Sequence, residues 1–264
     1  MLILNQKFGK YVSISLSIIL IFVGLIQLQK KQLSQLRAFE EKSNYLEEEE
    51  YLKTRVKFQK KMPVFGFDNL FADWNYLQFV QYFGDGEARQ VTGYSLVTDY
   101  FEDIVNRDPN FIQSQLVMST ANSLFAARPE KTIDLINQAL ETVNPKNPYY
   151  PFFLWTYKAT DEILFLGDIE AAKNSYKMAS KWASLRQDDL GNKMADRFQN
   201  TAKFLATGPD PTEAKFGAWM TVLSNSQDPK TQDYILNKLK ELGAEINISP
   251  DGRLDIKPPK LDRA

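Results

Sequence analysis

Glu102-Asp103, Asp161-Glu162 and Asp188-Asp189 are the side chains in this chain best suited to general acid–base chemistry. The reaction they would serve is glycoside hydrolysis, in which one carboxyl protonates the leaving oxygen and a second acts as nucleophile or base. That chemistry needs two carboxyl groups facing each other across a substrate. Neighbours on a helix point about 100° apart, so no pair converges by itself. The chain contains no histidine and no cysteine. Without imidazole there is no ordinary serine triad, no typical zinc hydrolase and no side chain titrating unperturbed near neutrality. Without thiols there are no disulfides, thiolate metal sites or cysteine nucleophiles. A nucleophile elbow and a phosphate loop are also missing. Gly84-Asp85-Gly86 has no strand before it and no Gly-Lys-Ser or Gly-Lys-Thr after it, and Asp251 with Asp255 lacks the other ligands of a calcium loop. The expectation is a protein that is not an enzyme, with no catalytic residue, no cofactor and no bound metal. A carboxylate-dependent enzyme such as a glycan hydrolase is the alternative the acidic pairs keep open.

The elements that would position these residues begin with an apolar run. Tyr11 to Leu28 carries no charge and is flanked by Lys7 and Lys10 before it and by Lys30 and Lys31 after it. As a helix it would cover roughly 27 Å, close to a bilayer core. No small-x-small cleavage site follows, so the run reads as an uncleaved single-pass anchor contacting lipid through residues 11–28, behind a short tail at 1–10. The flanking charges leave the side of the bulk of the chain open. Residues 29–61 are polar, strongly charged and free of Gly and Pro. Acid leading base there supports an exposed helical stalk or linker. Basic and acidic residues number 32 and 33, so no nucleic-acid surface is expected.

A helical domain over residues 62–243 is expected next. After Pro63, Phe71, Trp74, Phe79 and Phe83 recur at near-helical spacing, which predicts an aromatic helix packed at the edge of the array. Helices are predicted over 94–107, 111–127, 131–143, 153–166, 169–183, 188–207, 211–224 and 229–242. Stops stand at Pro109 and Pro145, starts at Pro211 and Pro229, and a C-terminal stop at Gly243. Within 244–264, Ile246 and Ile248 against Leu254 and Ile256 predict a small β-hairpin around Asp251-Gly252, followed by a loose tail.

Gly167-Asp168 followed by Ala172, Tyr176 and Ala179 places small, large and small side chains on one helical face. This resembles the turn and second helix of a tetratricopeptide repeat, and the proline stops are spaced close to the family's length of about 34 residues. Thr156, Ala159, Thr160 and Ile163 depart from the usual first-helix residues, and Thr132 from a small position. With the anchor, the layout resembles membrane-anchored tetratricopeptide-like proteins of cyanobacteria. The resemblance implies an all-α stack of antiparallel hairpins on a prokaryotic plasma or thylakoid membrane. It implies a scaffold or assembly factor binding a protein or peptide partner, with oligomeric state open. First helices line the concave face in that family, which implies Asn122, Tyr157 and Lys158 as partner contacts. A structural subunit of a larger membrane complex, with 65–83 buried in the assembly, is the alternative.

Overall fold

The computed structural model describes residues 20–30, 45–226, 228–248 and 254–259. The chain divides into two compact units, residues 1–48 and 49–264. In the first, residues 20–30 are helical (α1). The anchor expected at 11–28 falls partly outside the described residues. Among those described, no helix is long and apolar enough to cross a membrane.

The second unit is mostly helical and closes on a two-stranded antiparallel sheet. It begins within α2 (Tyr45–Lys60), followed by α3 (Asp68–Gly84), α4 (Gly86–Thr92), α5 (Val97–Arg107) and α6 (Ile112–Met118). A π-helical turn, π1 (Ser119–Phe125), leads to α7 (Pro129–Leu140). Then come α8 (Phe152–Asp161), a second π turn π2 (Glu162–Leu166), α9 (Ile169–Ser184) and α10 (Asp189–Leu205). The last elements are α11 (Thr212–Asn225), α12 (Pro229–Glu241), β1 (Glu245–Ile248) and β2 (Leu254–Lys257). The hairpin lies where its alternating pattern predicts, with Ile246 opposite Ile256 and Ile248 opposite Leu254; its turn lies outside the described residues.

Helix starts follow local chemistry. The carboxylates of Asp85, Asp168, Asp188 and Asp228 each accept a hydrogen bond from a backbone N–H three residues on, satisfying a donor the helix cannot. Pro129 and Pro229 open α7 and α12, where a missing N–H costs nothing. Gly167 ends π2 at φ 71°, and a Cβ there would stand 2.9 Å from Nζ of Lys215.

Successive helices pack on their neighbours: α5 on α3, α7 on α5, α8 on α7, α9 on α8 and α10 on α9. Ala172 and Ala179 are fully buried at these crossings, and Tyr176 stacks toward Phe198 at 6.3 Å. The main core runs from Val56 on α2 to Phe198 on α10. A second core joins Phe165 and Ala127 to Trp219, Val222, Ile235 and Leu239 of α11 and α12. Thus α11 does not extend the row of helices; it turns back across π1 and π2.

Two expectations need correction. The charged stretch 29–61 is not solvated throughout, because from Glu49 onward α2 is part of the second unit. Its repeated lysines and glutamates read as surface, yet the buried Glu49 takes hydrogen bonds from Arg89 Nη1 at 3.1 Å, Tyr82 Oη at 3.1 Å and Ser95 Oγ. Lys60 reaches Asp99 at 2.7 Å and Glu102 at 2.8 Å on α5. The aromatic segment 64–84 also divides: Phe79 is buried, whereas Trp74 is exposed. The short α4 after Gly84-Asp85 carries too few residues to show a period and was not expected.

Candidate binding cleft

The helices α6 and α8 each loosen into a π turn at their C-terminal end, a feature that concentrates at functional sites. The wider turn leaves carbonyls whose usual helical donors have moved away. Arg128 N bonds Asn122 O at 2.9 Å, and Asp168 N bonds Glu162 O at 2.9 Å, both across six residues. The helix α11 supplies two further donors. Asn225 Nδ2 reaches Leu124 O at 3.2 Å and Lys215 Nζ reaches Leu166 O at 3.4 Å. Trp219 stands edge-on to Phe165 at 5.1 Å between these two bonds.

A buried polar network fills the space behind π1. Asp161 Oδ2 accepts from Ser123 Oγ at 2.7 Å and Ser119 Oγ at 3.4 Å. Ser123 Oγ also lies 2.9 Å from Thr132 Oγ1, and Asn122 Nδ2 donates to that Thr132 oxygen at 3.0 Å. Thr98 Oγ1 donates to Asn122 Oδ1 at 2.6 Å and accepts from Arg128 Nη1 at 3.3 Å. Burial raises the Asp161 carboxyl to about 7, because the charged form loses water and gains only hydroxyl donors. Glu162 is also raised by burial, opposed by Ser175 Oγ at 2.8 Å and Lys158 Nζ at 3.4 Å.

The network's outer end, Arg128, opens onto a cleft of about 520 Å³. Three turns meet there: the α4–α5 loop with Tyr94 and Ser95, the π1–α7 link with Ala127 and Arg128, and the start of α12 with Asp228 and Lys230. Ala127 holds φ 55°, a left-handed conformation that costs a non-glycine residue roughly 1 kcal/mol or more. Gly93 lets the α4–α5 loop approach α12, since a Cβ there would lie 2.4 Å from Asp228 Oδ2. The rim carries Arg128, Lys131 and Lys230 against Glu130 and Asp228. Asp228 is committed to capping Thr231 N at 2.9 Å, and Lys131 lies 3.7 Å from Asp134. Tyr94 and Tyr234 form aromatic walls, held against Phe125 at 5.3 Å and Trp219 at 5.9 Å. Such a surface can hold a polar chain by charge, hydroxyl groups and ring faces.

No family model, curated protein or solved structure matches the chain. The cleft is therefore read from its own chemistry.

Of the residues expected to touch a partner, none lines the cleft. Asn122 is fully buried, and its amide is spent on Thr98, Thr132 and the Arg128 carbonyl. Its side chain points between α5 and α7, so as a surface contact it is corrected to a buried support of π1. Tyr157 is half-buried against the main core. Lys158 is half-buried too, paired with Glu162 and 5.2 Å from the Trp155 ring.

The acidic pairs diverge as their helical spacing requires. Asp161 faces π1 while Glu162 faces α9; Glu102 meets Lys60, whereas Asp103 meets Asn75 and Arg107. Asp188 caps α10 and pairs with Arg186 at 2.7 Å. Among the described residues no group of three or more acidic side chains is placed to hold a metal ion. What sequence reasoning missed was that the helix starts at Arg128-Pro129 and Asp228-Pro229 come together. Their meeting at one cleft joins positions a hundred residues apart in the chain, and no local pattern encodes that.

Proposed function

We propose that the protein is a noncatalytic scaffold or assembly factor that holds a protein or peptide partner at a prokaryotic membrane. In this reading residues 11–28 form the single-pass anchor and the second unit is a tetratricopeptide-like stack. The row formed by α3, α5, α7, α8, α9 and α10, each packed on the one before it, with Ala139, Ala159, Ala172 and Ala179 buried in its later helices, supports the stack. The observation that carries the function is the cleft. It offers aromatic walls, hydroxyl groups and three cationic side chains, while the buried carboxylates Asp161 and Glu162 do not line it. A peptide backbone with acidic side chains suits that set of groups.

The test is recovery of a defined partner by the tagged full chain from detergent-solubilised membranes. Wild type should retain one partner reproducibly, and Lys131→Glu with Lys230→Glu should lose it at unchanged thermal stability. A control charge reversal at Lys177, on α9 and away from the cleft, should retain it. Equal recovery by the cleft variant removes the cleft from the reading. No partner, alongside turnover of a glycan or peptide, removes the scaffold.

A further inference from the structure

Half of the aromatic segment after Pro63 is left uncovered by the described residues. Phe79 and Tyr82 are 1% and 4% exposed, but Phe65 is 87%, Phe67 and Leu70 are 62%, and Trp74 and Leu77 are 56% exposed. Phe67, Leu70, Trp74 and Leu77 are spaced three, four and three apart, so they share one face of α3 and its first turn. Phe65 precedes them at a loop tip, held outward by φ 49° and followed by Gly66 at φ 89°. A non-glycine residue in that conformation, carrying its ring into solvent, gives the loop no packing in return. A few residues before the tip in the chain, Lys57 and Phe58 near the end of α2 and Lys61 just after it are exposed. Asp68 is drawn toward Arg107 at 3.9 Å, leaving Asp73 as the acidic side chain on the flank of the face.

We propose that this face docks on an anionic lipid surface. Phe65, Phe67, Leu70 and Trp74 would enter the boundary between headgroups and acyl chains, with Lys57 and Lys61 against the headgroup phosphates. Two observations favour lipid over a protein. An aromatic residue at a loop tip needs no complementary pocket when the partner is fluid. The segment between Leu28 and Tyr45 can span at most roughly 60 Å, so an anchor at 11–28 keeps the face at high local concentration beside a bilayer. The inference rests on the anchored reading given above.

The test uses the full chain reconstituted in phosphatidylcholine vesicles, with and without phosphatidylglycerol, carrying brominated acyl chains. Flotation reports the anchor and tryptophan quenching reports the docked face. Docking predicts quenching that strengthens with phosphatidylglycerol, falls to background in Trp74→Tyr, and weakens in Phe65→Ser and in Lys57→Glu with Lys61→Glu. Trp155, Trp182 and Trp219 are half-buried or buried and serve as the internal background. Flotation without Trp74 quenching overturns the docking and leaves the anchor standing. If Trp74 is then also shielded from aqueous acrylamide, a second copy or another protein covers the face. A chain that does not float overturns both.

Discussion

Among single residues, Asp161 is the most consequential. Its carboxyl titrates near 7 in the fold against 3.8 for a free side chain, because burial opposes the charge. A raised acid holds its proton in the folded state over a range where the unfolded chain has released it. Its contribution to stability is therefore complete below about pH 4 and is lost as pH rises through about 7. Asp161→Asn removes that titration while keeping a polar group beside Ser123. Relative to wild type, the variant should gain a few kcal/mol between pH 4 and pH 8, since each pH unit separating the folded and unfolded carboxyl is worth about 1.4 kcal/mol. Urea midpoints of the two proteins at both pH values check this, and a constant gap would place the Asp161 proton elsewhere. Asn122 shows how far a residue can be read from sequence. Its position on a first helix was legible, but which way its amide points depended on α5 and α7 closing over it.

At the level of elements, the π turns and α11 form one assembly. The wide turns expose carbonyls, and α11 brings Asn225 and Lys215 to them with Trp219 packed between. Trp219→Ala would empty a site that is 2% exposed, at a cost of about 3–5 kcal/mol. The unfolding midpoint should fall accordingly, and amide exchange should rise first over residues 119–128 and 162–168. Equal exchange in the two proteins would mean the π turns hold without α11. Helix existence here was readable from capping aspartates and N-terminal prolines. The π turns were not, because Ser119–Phe125 and Glu162–Leu166 contain no Gly or Pro to mark a break in the helix before them. The donors from α11 that meet their carbonyls come from forty-nine and a hundred and one residues away in the chain.

For the whole molecule, the boundary of the second unit decides what folds. The charged run before Pro63 has the composition of a stalk, and the partners of Glu49 and Lys60, with Val56 buried in the core, place α2 from Glu49 onward inside the unit. Arg89 is 4% exposed and depends on Glu49 and the Gly93 carbonyl for its charge. A chain beginning at residue 62 strands that guanidinium, and breaking a buried pair costs about 3–5 kcal/mol. It should melt well below a chain beginning at residue 45. Equal melting temperatures would return α2 to the role of a stalk.

Local chemistry in the sequence sufficed for the mostly helical character, most of the helices in their order, the alanine contacts on α9 and the terminal hairpin. Periodicity, caps and proline stops act within a few residues, so they can be read from any one stretch. It also sufficed to remove histidine and cysteine chemistry outright. Only the tertiary structure decided that Glu49 is buried, that Asn122 faces inward, that half of α3 meets solvent, and that two distant helix starts share one cleft. Each of those depends on which surface a second element covers, and that surface is chosen by the packing of the whole chain.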